Sequence, residues 1–322
     1  MRKLVYVSAI AALLIAPMQP SNAQSVSYAS ALGRLGQTCG QDIAKYCKNV
    51  NLGGGRVTQC LERNSAKVSA SCKASAANMK ALLATRSQAR ASVMKICDND
   101  IRRLCAGVQP GDGNLMECFY KAKRNTSAAC QKVVADAGYE ATVDPNTPTS
   151  QVALSPTELI NSLQNAEASA GTVTAASLRQ MAAASLADPS RANRTNRAPL
   201  SDLLEKQAQI TIAIQFDYNS ARIRPDSFQA VGLMADSLYH PYLQGYRFLV
   251  VGHTDGTGSR EYNLKLSQQR ADAIREALIN PFGIAPARIE AVGLGEEQLL
   301  KPAEPAAADN RRVQLINTGP LR

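Results

Sequence analysis

Eight cysteines, all lying between Cys39 and Cys130, constrain what this chain can fold into more than any other feature. They form two sets, Cys39, Cys47, Cys60, Cys72 and Cys97, Cys105, Cys118, Cys130, with spacings of 8, 13 and 12 residues in both. The second set repeats the first with a period of 58 residues. Flanking residues repeat with it: Asp42-Ile43 corresponds to Asp100-Ile101, and Gly55 to Gly113. Such self-similarity marks an internal duplication. Each unit reads as a helix, a Gly-rich turn (Gly53-Gly54-Gly55; Gly111-Asp112-Gly113) and a second helix. An antiparallel hairpin sets the cysteines nearest the turn opposite each other. The expected pairs are therefore nested, Cys47–Cys60 inside Cys39–Cys72 and Cys105–Cys118 inside Cys97–Cys130. Each such loop stabilises its hairpin by about 3 kcal/mol in the chain-entropy picture, and nested loops do not add fully. That contribution matters because a unit of this size has little core of its own.

Metal or redox chemistry is the rival use for these cysteines. The region has no Cys-x-x-Cys and no histidine, so zinc-ribbon and thioredoxin-like readings fit poorly. An even count suits disulfides in an oxidising compartment. The start of the chain points to that compartment. Met1-Arg2-Lys3 is basic, Leu4 to Ala16 is apolar, and Ser21-Asn22-Ala23 is a small-x-small site. This is the pattern of a secretory signal peptide over residues 1–23, cut after Ala23. The apolar run is too short to span a bilayer as a helix. The first cysteine after the site is Cys39, which argues against a lipid anchor at the cut end. Loss of Arg2 and Lys3 lowers the formal net charge from +10 to +8. A basic exported protein suits anionic envelope polymers, whereas no aromatic-interleaved basic motif for nucleic acid stands out.

The repeat pattern, Cys-x-x-Asp-Ile-x-x-Tyr/Leu-Cys, then Gly, then Cys-Leu/Phe, resembles the cysteine-rich repeats of a Golgi glycoprotein family. That resemblance covers about residues 36–135. It implies a structural or protein-contact module and names no catalytic residue.

Residues 136–202 read as a helical and flexible linker, rich in Ala, Ser, Thr and Asn. Ser155-Pro156-Thr157-Glu158 has capping-box spacing with Pro at the first helical position, which predicts a helix to about Ala168. A second helix is expected from Ala175 to Ala187. Asp188 to Pro199 lacks apolar periodicity and reads as a mobile basic linker carrying Arg191, Arg194 and Arg197.

From Leu203 to Thr318 the pattern changes. Ile210–Phe216, Arg247–Thr254, Ile289–Gly293 and Arg311–Ile316 read as strands, and Pro225–Leu238 and Asn263–Ile279 as helices. The fold class expected for the whole is α+β: disulfide-stapled helical hairpins, a helical or disordered spacer, and a C-terminal α/β sandwich on one mixed sheet. The strand–loop–helix at residues 252–271 carries the candidate site. Asp255 in the Gly-rich loop and Arg270 in the helix can grip a small zwitterion, ammonium on Asp255 and carboxylate in the fork of Arg270. Asn263, Ser267 and Arg270 are spaced to share a helix face. The plainer alternative is an Asp that caps loop amides and an Arg that is solvated surface charge.

Phe216-Asp217-Tyr218-Asn219-Ser220-Ala221 with Pro225 resembles the opening motif of the OmpA-like C-terminal domain. Gly252-His253-Thr254-Asp255-x-x-Gly258 and Tyr262-Asn263-x-x-Leu266-Ser267-x-x-Arg270-Ala271 resemble its central signature. Gly283-Ile284, Arg288, Gly293-x-Gly295-Glu296, Pro302 and Asn310-Arg311-Arg312-Val313 follow in order. The resemblance covers about residues 205–318. It implies non-covalent binding of peptidoglycan through meso-diaminopimelate of the stem peptide, with the amine on Asp255 and the carboxylate on Arg270. It also implies that Thr254, Asn263 and Arg311 line the same pocket. With the export signal it places the protein in the periplasm, association with the outer membrane being left open, and the cysteine-rich repeats are expected to contact an envelope partner. Two departures bear on the last loop: Ala306-Ala307-Ala308-Asp309 replaces the usual Gly-Arg approach, and Gln314 stands where an acid is usual.

The competing functions are an envelope enzyme, such as a metal-dependent wall hydrolase, and a structural protein with a degenerate pocket. The chain has only His240 and His253, no His-Glu-x-x-His and no Gly-x-Ser-x-Gly. No catalytic residue, metal ligand or cofactor is therefore expected. Neither is a transmembrane segment.

Overall fold

The duplicated cysteines are carried on two sets of helices. In the first, α1 (Tyr28–Tyr46), α2 (Arg56–Arg63) and α3 (Ala70–Ile96) follow one another; in the second, α4 (Asp98–Leu104), α5 (Asn114–Ala122) and α6 (Ala128–Ala137). This is a computed structural model, and it describes residues 26–109, 113–139, 155–164, 173–193, 195 and 199–321. The signal segment 1–23, the turn tip at 111–112, spacer residues 140–154, the end of the first spacer helix beyond Gln164, Arg194 and Arg197 lie outside the described residues. Disulfides join Cys39–Cys72, Cys47–Cys60, Cys97–Cys130 and Cys105–Cys118.

The repeats depart from the expected two-helix hairpin. Each second helix is split, so that one repeat is a helix, a turn, a short helix and a further helix. The break comes where a serine caps the last helix: Ser69 and Ser127 accept from Cys72 N and Cys130 N, both at 3.3 Å. The duplicated aspartates hold those caps. Asp42 Oδ2 accepts from the backbone and hydroxyl of Ser69 at 3.1 and 2.8 Å, and Asp100 Oδ2 does the same for Ser127 at 3.0 and 2.7 Å. The hydrogen bonds from Ser127 hold the Asp100 carboxyl below the usual range. The duplicated glycines, Gly55 and Gly113, precede α2 and α5 with φ of 67° and 73°, a left-handed conformation that favours glycine.

Beyond the repeats come α7 (Pro156–Gln164), α8 (Ala175–Ala187) and the short α9 (Asp202–Glu205). Ser155 and Glu158 form the reciprocal capping box, with bonds of 3.1 and 2.7 Å. Then follow β1 (Gln209–Ile212), α10 (Phe228–Leu238), β2 (Tyr246–His253), α11 (Arg260–Ile279), β3 (Ile289–Gly295) and β4 (Val313–Pro320). The sheet order is β1-β4-β2-β3. β4 runs antiparallel to both β1 and β2, while β2 and β3 are parallel, joined across α11.

Both sheet faces are covered. One packs Ile212, Phe248, Val250, Ala291 and Leu315 against α10 and α11. The other packs Leu249, Val251, Val292, Leu294 and Ile316 against Val173, Ala175, Leu178 and Ala182 at the start and along one face of α8. The spacer therefore supplies the second cover of the sheet. Part of the stretch expected to be a mobile basic linker is also tied down. Arg191 Nε donates to Ser185 Oγ at 2.5 Å, and Ser185 Oγ donates to Glu297 Oε2 at 2.5 Å. The physical reason lies in β2 and β3: runs such as Phe248-Leu249-Val250-Val251 do not alternate, and a strand apolar on both sides needs a layer on each.

The first repeat shares the core of the sheet. Its four cysteines, Leu32, Leu35 and Ile43 belong to the same apolar cluster as α10 and β2. Glycines allow this contact. A Cβ at Gly232 of α10 would lie 2.5 Å from Tyr28 O, and one at Gly36 of α1 would lie 2.2 Å from Pro225 O. Asp236 of α10 accepts from Tyr28 N and Ala29 N, at 3.0 and 2.9 Å, and so caps the first turn of α1. Arg56, at the start of α2, forks both oxygens of Glu276 on α11.

Candidate functional site

β2 ends at His253 and the chain enters the Gly-rich loop that carries Thr254 and Asp255. The loop is fixed at both ends: Thr254 N donates to Gly295 O at 2.9 Å, and Gly256 N to Pro305 O at 2.8 Å. Ser259 caps α11 by accepting from Tyr262 N at 3.2 Å. Close approach of α11 to the sheet depends on missing side chains. A Cβ at Gly252 would lie 2.5 Å from Ser267 O, and one at Gly293 would lie 2.0 Å from Gln268 N.

Asp255 Oδ1 accepts from Thr257 N at 3.0 Å, which is the capping role of the plainer alternative. Its Oδ2 accepts from Arg311 Nη1 at 2.5 Å. The Asp255 side chain is 14% exposed and that of Arg311 50%, so the anion is tucked in while the cation stays wet. Arg270 is half-buried. Its Nε donates to Ser220 O at 3.0 Å and its guanidinium lies over the Phe216 ring at 4.9 Å. The 216–221 loop thus forms a shelf for Arg270. That loop turns through Asn219, whose φ of 54° is left-handed, and Asn219 is joined to Tyr262. Arg270 makes no ion pair among the described residues, and its Nη1 and Nη2 atoms have no hydrogen-bond partner there. Burial lowers its pKa from the ordinary arginine value, with Arg311 adding to the effect. An arginine stays charged through such a shift.

Arg270 and Arg311 both line a cavity of about 140 Å³ at the end of the sheet, together with Phe216, His253 and Arg312. No carboxylate is among its lining residues. His253 and Arg312 are buried in this wall. Burial holds the His253 imidazole well below the ordinary histidine value, with Arg312 adding to it. Its ring nitrogens lack a well-aligned hydrogen-bond partner, although Gln314 and the backbone of Gln298 are adjacent. Arg312 is lowered to about 10 by burial and donates to Gln298 O at 3.1 Å. Among the described residues no group of three or more His, Cys, Asp or Glu is placed to hold a metal ion.

The residues expected to line one pocket divide into two groups. Asp255, Arg270 and Arg311 come together. Asn263 and Ser267 do not join them, although the helical period puts them on the face that bears Arg270. Both are buried. Asn263 Nδ2 donates to Asp255 O, Thr257 O and Glu296 Oε2, at 3.2, 3.0 and 2.7 Å. Ser267 Oγ accepts from Gly295 N at 2.7 Å. They fasten the loop from behind, while the longer Arg270 side chain carries its charge outward from the same face. Thr254 is also buried, and its hydroxyl has no hydrogen-bond partner among the described residues. Asn310 shapes the departing loop: its Nδ2 donates to Glu304 O and Pro305 O, both at 3.0 Å, and its Oδ1 accepts from Lys301 N at 2.9 Å. Lys301 pairs with Asp309. Gln314, at the position where an acid is usual, donates to Gln209 Oε1 at 2.7 Å across β1 and β4. The roles of Ser220, Glu296 and His253 were not legible from spacing.

Residues 215–312 match the OmpA family, and residues 34–69 and 70–127 match the family described as cysteine rich repeat. The peptidoglycan-associated lipoprotein of Pseudomonas aeruginosa is 32% identical over 132 residues, which is 40% of this chain and 76% of that protein. Outer membrane porin F of Pseudomonas fluorescens is 36% identical over 108 residues, 33% of this chain. The chain spans only 32% of that porin's length. The crystal structure of the peptidoglycan-associated lipoprotein from Burkholderia pseudomallei is 33% identical, covering 37% of this chain and 99% of that one, with a TM-score of 0.28. With 32% identity across 76% of the Pseudomonas aeruginosa lipoprotein, and the family match from before α10 through β2, the central loop, α11 and β3, the chain belongs to the OmpA family.

Proposed function

We propose that this protein binds peptidoglycan non-covalently in the cell envelope, by gripping the zwitterionic end of meso-diaminopimelate in the stem peptide. Asp255 receives the ammonium and Arg270 the carboxylate. The observation that carries this reading is Arg270 itself. A half-buried guanidinium is anchored through Nε on Ser220 O, with its outer fork unpaired among the described residues and beside the Asp255–Arg311 pair. The names of the relatives support the polymer: four are peptidoglycan-associated lipoproteins. The compartment is the periplasm, and no helix among the described residues is long and apolar enough to cross a membrane. The protein acts as a binder and not as an enzyme, and the cysteine-rich repeats offer their outer surface to an envelope partner.

A single partly exposed clamp is modest in strength, about 0–1 kcal/mol per rim contact and several for a desolvated bidentate pair. Repeated ligands on a polymer raise the effective affinity. Co-sedimentation with insoluble peptidoglycan tests the reading. The wild type pellets with the polymer, and Asp255→Ala and Arg270→Ala stay in the supernatant. Equal pelleting of all three would overturn it.

A further inference from the structure

The carboxylate proposed to receive the ammonium already carries an ion pair. Asp255 Oδ2 is held by Arg311 Nη1 at 2.5 Å and the Asp255 side chain is only 14% exposed, so a ligand ammonium competes with Arg311 for that oxygen. Arg311 then needs another anion. It lines a cavity with Arg270 and the buried Arg312, and no carboxylate is among the lining residues. The two classes of amine therefore meet different costs. An amine without a carboxylate breaks the Asp255–Arg311 pair and leaves Arg311 facing two like charges. A zwitterion breaks the same pair but brings a carboxylate, which both Arg270 and Arg311 can fork.

We infer that Arg311 is a specificity latch: it competes with the ligand ammonium for Asp255 and yields at lower cost to a ligand that supplies its own carboxylate. The inference rests on the reading of Asp255 and Arg270 as the clamp. The ligand class it selects is the free amino-acid centre of diaminopimelate, and the class it rejects is the bare side-chain amine that lysine would present at the same stem position. Two geometric facts suit Arg311 to the task. Its side chain is half exposed, so it can move without disturbing the core. It also leaves the short turn Ala308–Asn310, which Asn310 anchors, so its backbone stays in place.

Calorimetric titration of the chain with meso-diaminopimelate and with cadaverine, the same carbon chain without carboxylates, tests the latch. The wild type binds meso-diaminopimelate and discriminates against cadaverine. In Arg311→Ala, cadaverine binding improves by about fivefold, the scale of one partly exposed ion pair. Binding of meso-diaminopimelate changes less, so the preference narrows. A preference that stays the same or widens overturns the latch. Distant charge repulsion alone could also narrow it, so the Arg311 guanidinium resonance is followed by ¹⁵N NMR in the wild type. Displacement shifts that signal when cadaverine binds, and an unmoved signal overturns the latch. The clamp is tested separately: if Asp255→Ala binds meso-diaminopimelate as well as the wild type, the reading of the site itself fails.

Discussion

Arg86 of α3 and Asp236 of α10 form an ion pair of 2.8 Å with side chains 0% and 3% exposed, at the point where the first repeat meets the sheet. The same guanidinium donates to Val26 O at 2.8 Å and lies over the Tyr28 ring at 4.1 Å. Burial raises the Asp236 pKa even though Arg86 and two amides oppose the shift. Such a pair is weak evidence for net stability, yet removing one member strands the other charge. Asp236→Ala is expected to cost about 3–5 kcal/mol, whereas the double substitution Arg86→Met, Asp236→Leu recovers most of the loss. Urea unfolding with the disulfides intact measures both. A double variant no better than the single one would show that the charges themselves hold the joint.

A second joint fixes the spacer. Arg260 Nη2 meets Glu297 Oε2 at 2.7 Å and Ser185 O at 2.6 Å, with the Glu297 side chain 1% exposed. Glu297→Ala leaves Arg260 without its acid and is expected to destabilise by about 3 kcal/mol. The loss falls first on α8, which the sheet also holds by its apolar face and by Arg179 Nη2 on Ala291 O at 2.6 Å. Hydrogen exchange reads this directly: α8 amides lose protection ahead of β2 and β3. Unchanged α8 protection would contradict the anchoring role.

His253 makes stability depend on pH. Its folded pKa lies well below the ordinary value of 6.5 because it is buried beside Arg312. Below about pH 6.5 the unfolded chain takes up a proton that the native imidazole refuses. This contribution to stability is therefore complete above 6.5 and falls with decreasing pH until the folded pKa is reached. The slope approaches about 1.4 kcal/mol per pH unit for one proton. Denaturant midpoints from pH 7 to pH 5 should fall less steeply in His253→Gln than in the wild type. Parallel curves would refute the assignment.

Local signals were legible because they depend on neighbours in sequence. Cysteine spacing gave the two repeats, and strand-helix alternation gave the mixed sheet. Ser155 and Glu158 marked a capping box that the structure contains. The duplicated Asp42 and Asp100 were visible as a repeat, but their task on the caps of Ser69 and Ser127 lies 27 residues away and leaves no periodic trace. The split in each hairpin was missed for the same reason. At the candidate site, spacing singled out Asp255 and Arg270 and put Asn263 and Ser267 on the helix face of Arg270. The structure buries Asn263 and Ser267 behind the loop, because periodicity reports which face a residue shares and says nothing about side-chain reach.

The sequence by itself determined the inventory: two cysteine-rich repeats, the strand–loop–helix at residues 252–271, and an acid and an arginine on it. Only the tertiary structure decided how these parts are joined. The first repeat packs on α10 through Gly36 and Gly232, α8 covers the second face of the sheet, and Arg311 comes from 56 residues away to rest on Asp255. Those contacts follow from burying apolar faces whose partners lie far off along the chain. A one-dimensional pattern announces that a face must be covered, and the packed chain alone determines by what.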